Sequence, residues 1–123
     1  MMDFYQLLQN IKKRPTLYLS RCSIFDLQTF CNAYQLSRRD LEIPESIQEL
    51  EFGEFIAGLR QKLSGGNHSW ASLVLFHFSL ESDERMALQK FFELWEEFLN
   101  QERSAIEPMD QSSSYDLVSA GTR

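Results

Sequence analysis

The chain is short of cysteine, proline and glycine: two, three and five among 123 residues. Two cysteines, Cys22 and Cys31, are too few for a disulfide framework or a zinc site, and their nine-residue spacing is not the C-x-x-C of a redox motif. The low glycine and proline content excludes collagen-like and Gly/Pro-rich chains. No run approaches the roughly eighteen apolar residues that a transmembrane helix requires, so no membrane span is expected. Basic residues are outnumbered, 12 against 18 acids, for a net charge of −6. Neutralising phosphates takes Lys and Arg, so this balance argues against nucleic-acid binding. Neither phosphate-binding glycine loop occurs, nor an EF-hand loop or a metalloprotease helix motif, and no metal or cofactor is expected. The opening MMDFYQLLQNIKKRP carries its bases after its apolar residues, the reverse of a secretory signal, which points to the cytoplasm.

Hydrophobic side chains are plentiful, at 43% of the chain, and ten of them are Phe. That suffices for the core of one domain. Phe4, Leu7, Leu8 and Ile11 form a helical stripe, with Asp3 placed to cap it and Pro15 to stop it. Residues 16–19 read as a short extended connector that drops Leu17 or Leu19 into the core. Ser23 is a candidate N-cap, with Asp26 three positions on in a box-like arrangement, for a helix carrying Leu27, Phe30, Cys31 and Tyr34 and ending near 38–40. After the break at Pro44, Ser46 opens a helical pattern with Ile47 and Leu50. From Phe52 the stripe is Phe52, Phe55, Ile56, Leu59 and Leu63. Gly53 and Gly58 within it suggest close packing or a kink near residue 51.

Residues 69–80 fit a helix through Trp70, Leu73, Val74 and His77, and a strand equally well through Val74, Phe76, Phe78 and Leu80. No other segment offers a strand partner, which decides for a buried helix with His77 at the core edge. Ser82 is the expected cap of a last helix that carries Leu88, Phe91, Leu94, Trp95, Phe98 and Leu99 to about Arg103. The reading is therefore an all-α domain of five to six helices over residues 1–104, with a flexible tail over 105–123. Its expected core includes Leu7, Leu8, Ile11, Leu27, Phe30, Cys31, Phe55, Leu59, Leu73, Leu94, Trp95 and Phe98.

Groups suited to catalysis are sparse. His68 and Ser69 are adjacent, but neighbours on a helix point apart, whereas a nucleophile and its base must lie within hydrogen-bond reach. Cys22 precedes a predicted helix start beside Arg21, where a thiol can become reactive. A Cys22 or His68 enzyme stands as one alternative, and a structural or regulatory helical module as another. Charge is the stronger signal. Residues 1–39 carry a net +4 and residues 40–123 a net −10. Asp40, Glu42, Glu45, Glu49, Glu51 and Glu54 fall within fifteen residues that hold no base. Such crowding weakens a helix, and it reads either as a solvated face or as an acidic docking surface for a basic partner.

Two resemblances bear on this. Residues 11–20, IKKRPTLYLS, resemble a segment at the start of the ATPase subunit of DNA gyrase, but the chain lacks that family's Asn helix, D-x-G-x-G loop and glycine-rich lid. The string is read as a shared turn device. Over residues 3–99, Arg14-Pro15…Tyr18-Leu19, Ser23-Ile24…Leu27…Phe30, Trp70 and Phe91-Phe92…Leu94…Phe98 resemble small bacterial immunity-type or uncharacterised helical proteins, some of them associated with toxin loci. That resemblance implies a non-enzymatic binding role without catalytic residues. With the charge pattern, it makes the expected partner a protein with a basic surface, such as a toxin domain.

Overall fold

A computed structural model of the chain describes residues 2–64 and 66–112, with side chains as far as residue 102. Among these residues there are six α-helices and no strand: α1 (Phe4–Lys13), α2 (Pro15–Tyr18), α3 (Ile24–Asp40), α4 (Ile47–Lys62), α5 (Trp70–Phe78) and α6 (Glu84–Ser112). No helix among them is long and apolar enough to cross a membrane. Contacts group the chain into two units, Met1–Phe92 and Glu93–Arg123, and the division falls within α6.

The helix starts follow the capping logic of the sequence, with two changes. Asp3 caps α1 in a full capping box with Gln6. Ser23 caps α3 by accepting from the Phe25 amide, but Asp26 does not close a box. It is drawn off by the Arg21 amide and guanidinium, at 2.9 and 3.0 Å. The α6 cap is Asp83, which accepts from the Met86 amide at 3.0 Å, and not Ser82. Ser82 and Glu81 both have positive φ, 56° and 55°, in the turn that precedes it. Residues 15–18 are helical, not extended, because Pro15 supplies a first-turn φ after stopping α1. That turn buries Leu19 and leaves Leu17 in solvent.

The core of the first unit is aromatic and centres on Phe91. Its ring stacks on Trp70 at 4.9 Å and meets Phe55 at 5.6 Å, Phe92 at 5.7 Å and Phe52 at 6.2 Å edge-on. Phe52 passes the contact on to Phe4 of α1 at 5.2 Å, and Phe4 meets Tyr34 of α3 at 5.3 Å. Residues 70–78 are a helix whose Trp70, Ala71, Leu73, Val74 and Leu75 are buried. Its distal end emerges, so His77 is exposed instead of sitting at the core edge. Of the expected core, Leu8, Ile11, Leu27, Cys31, Phe55, Leu59 and Leu73 are buried, whereas Leu7 and Phe30 are half-buried. α4 runs unbroken, and a Cβ added at Gly53 or Gly58 would meet nothing within 4 Å, so neither close packing nor a kink explains these glycines.

In the second unit α6 continues past Arg103 to Ser112. Trp95 is buried and stacks on Phe98 at 5.8 Å, while Leu94 and Phe98 are half-buried. Residues 113–123 of the expected tail lie outside the described residues.

Phe91 has no exposed surface. Phe91→Ala should cost about 3–5 kcal/mol of unfolding free energy, and half-buried Phe30→Ala clearly less, in a chemical-denaturation comparison. Equal losses at the two positions would contradict the aromatic centre described here.

Candidate functional site: the acidic corner between α3 and α4

The acidic stretch singled out by the sequence forms a tight corner. α3 ends in a paired-bond helix stop. The Ile43 amide donates to the Arg38 carbonyl and the Glu42 amide to the Arg39 carbonyl, both at 2.9 Å. This stop needs a left-handed residue, and Glu42 supplies it at φ 57°. Glycine is the easy occupant of that conformation, and a side-chain-bearing residue there costs on the order of 1–2 kcal/mol. Pro44 carries the chain onward and Ser46 opens α4 with a capping box. Its hydroxyl accepts from the Glu49 amide at 3.1 Å, and its own amide donates to Glu49 Oε1 at 2.9 Å.

Glu49 is the hinge pin of this corner. Its side chain is only 3% exposed, and Oε1 also accepts from Arg38 Nη2 at 2.8 Å. The same Nη2 donates to the Pro44 carbonyl at 3.2 Å, and the guanidinium lies over the Tyr34 ring at 5.6 Å. One guanidinium thus joins the end of α3, the connecting loop and the start of α4. Burial by itself would push the Glu49 carboxyl up. The Ser46 amide and the Arg38 guanidinium outweigh it and hold the carboxyl below the ordinary glutamate range. Glu51 is also engaged inside the fold, because the Tyr5 hydroxyl of α1 donates to it. Beside it Gln48 Oε1 accepts from the Tyr5 amide at 2.9 Å.

The six acids therefore divide. Glu49 and Glu51 bond neighbouring elements, while Asp40, Glu42, Glu45 and Glu54 are exposed. Of the six acids expected to face a partner, Glu49 is buried against Arg38. A cleft of about 280 Å³ opens at the corner, lined by Gln35, Arg38, Arg39, Ile43, Glu45 and Glu49. Interleaved with the exposed acids are the apolar side chains of Leu36, Leu41, Ile43, Ile47 and Leu50, all in solvent. The expected core includes neither Ile47 nor Leu50, and both are exposed. The spacing accounts for this: Leu50 and Phe52 are two residues apart, which places them on opposite sides of a helix, and Phe52 is the buried one.

The other candidates are dispersed. Ser69 caps α5, accepting from the Ser72 amide at 3.2 Å, while the neighbouring exposed His68 sets its ring edge-on to Phe76 at 5.9 Å. The pair does not form a nucleophile–base contact. Cys31 is buried among apolar side chains, which pushes its thiol up to about 12, out of the reactive range. Cys22 is half-buried and free. No group of three or more His, Cys, Asp and Glu among the described residues is placed to hold a metal ion. In comparisons with known proteins, no family model matches the chain, and neither a curated protein nor a solved structure matches it.

The Arg38–Glu49 pair sets a pH dependence. A carboxyl held below its unfolded-state value adds stability that is full above the ordinary glutamate range and is lost as pH falls through the folded value. Glu49→Gln should therefore lower stability at neutral pH by about 2 kcal/mol, because it leaves Arg38 without its charge partner. In urea melts at stepped pH, this deficit should shrink on acidification below about pH 4. A deficit that stays constant down to acid pH would contradict the ion pair.

Proposed function

We propose that this chain is a non-enzymatic, cytoplasmic protein-binding domain of the bacterial immunity type, which inhibits a partner by covering a basic surface on it. One observation carries the reading. Asp40, Glu42, Glu45 and Glu54 project into solvent from a corner that Glu49 and Arg38 clamp from within. A charged surface held rigid loses little freedom when a partner arrives. Complementary charge then steers encounter, raising the association rate and selecting against acidic proteins. The left-handed Glu42 supports the same reading, since a charged residue sits where glycine would be the less strained helix stop. The resemblance over residues 3–99 to immunity-type proteins points the same way and makes a cationic toxin domain the kind of partner to seek.

The test begins with proteins of the native host retained on the full chain. Each is purified, and its association kinetics are followed as ionic strength rises. A variant combining Asp40→Asn, Glu42→Gln, Glu45→Gln and Glu54→Gln leaves the structural Glu49 and Glu51 in place. It should associate at least about tenfold more slowly at low salt, with a flattened salt dependence and undiminished thermal stability. An unchanged rate and salt dependence would reduce the acidic corner to a solvated face and overturn the reading.

A further inference from the structure

An acidic rim controls encounter, but durable binding comes from apolar side chains desolvated at the centre of an interface. Five exposed large apolar residues crowd into residues 36–50: Leu36, Leu41, Ile43, Ile47 and Leu50. Ile47 is 74% exposed, Leu41 71% and Leu50 52%. Of the other exposed large apolar residues among those described, Met2 and Leu17 stand apart in the sequence, and Phe76, Leu80 and Met86 fall within eleven residues. Along α4, Ile47, Leu50, Glu54 and Gly58 follow one another at i, i+3, i+7 and i+11, so they line one ridge opposite the buried Phe52, Phe55 and Leu59. Gly58 lowers helix stability by about 1 kcal/mol relative to alanine, and nothing inside the fold requires its missing Cβ. On an outer ridge, that missing side chain lets another backbone come close.

We infer that the outer face of α4 and the adjoining corner form a docking surface with an apolar centre and an acidic rim. Its occupant is a basic amphipathic helix of a partner protein. The inference rests on the binding role proposed above and specifies it. Ile47 and Leu50 anchor between the partner's apolar side chains, Gly58 admits close approach of the two helices, and Glu42, Glu45 and Glu54 meet the flanking Lys and Arg. A helix lying along a helix engages ridges at this spacing. A second copy of the chain is a poor occupant in a two-fold arrangement, because these three like charges would face their own kind on a molecule of net charge −6.

The probes are two designed helical peptides of one pattern, leucine on one face and either lysine or glutamate on the other, titrated into the ¹⁵N-labelled full chain. The lysine peptide should shift the amides of residues 36–58, and the glutamate peptide should not. Ile47→Gln with Leu50→Gln should weaken binding about tenfold or more at an unchanged melting temperature, since both side chains already sit in water. Gly58→Gln should weaken binding while raising the melting temperature, a combination that a purely structural glycine would not produce. Undiminished binding by the Ile47/Leu50 variant, with loss of binding by the four-carboxylate variant, overturns the apolar centre and leaves the acidic binding surface standing. Equal binding of the two peptides, or shifts centred on Phe76 and Leu80, overturns both. A concentration-dependent dimer in sedimentation, abolished by the Ile47/Leu50 substitutions, replaces the basic helix with a second copy.

Discussion

The pairing of Arg38 with Glu49 is the constraint on which the candidate site depends. A buried carboxylate without a partner would cost several kcal/mol, so α4 can begin where it does only because Arg38 arrives at 2.8 Å and the Ser46 amide at 2.9 Å. With that contact made, the loop after α3 has little choice of path. The stop at Glu42, the turn through Pro44 and the cap at Ser46 all close within one span of chain. The pair also decides which carboxylates remain for function. One acid is taken into the fold by Arg38 and one by Tyr5, and the rest are left outside on a fixed frame.

That frame stands on the aromatic core. Phe52 is three residues beyond Glu49, on the inner side of α4, and meets Phe4, Trp70 and Phe91. Burying Phe52, Phe55 and Leu59 sets the rotation of α4 about its own axis. With the rotation set, Ile47, Leu50 and Glu54 must point outward. Core packing and the exposed ridge are thus two sides of one periodic pattern, and the polar corner fixes where the pattern starts.

Most of the helical framework was legible in the sequence, because its signals are local. Asp3, Ser23 and Ser46 cap helices, Pro15 ends one, and the stripes through Leu8, Leu27, Phe55 and Leu73 face inward. What escaped depends on contacts that no helical spacing rule predicts. Arg38 and Glu49 lie on different helices, and no spacing rule pairs them. Tyr5 reaches Glu51 across 46 positions. Asp26 was lost to its own box because Arg21 competes for it. His77 escaped for another reason: it shares an apolar run with residues that are buried while α5 is already emerging into solvent.

The most direct test of the corner is a titration of the Glu49 side-chain carboxyl by ¹³C-detected NMR in the wild type and in Arg38→Met. In the wild type the midpoint should lie below the ordinary glutamate range, and it should rise when the guanidinium is removed and burial acts with less opposition. A wild-type midpoint at or above that range, unmoved by Arg38→Met, would contradict the pairing and, with it, the account of why this corner holds its remaining carboxylates outward.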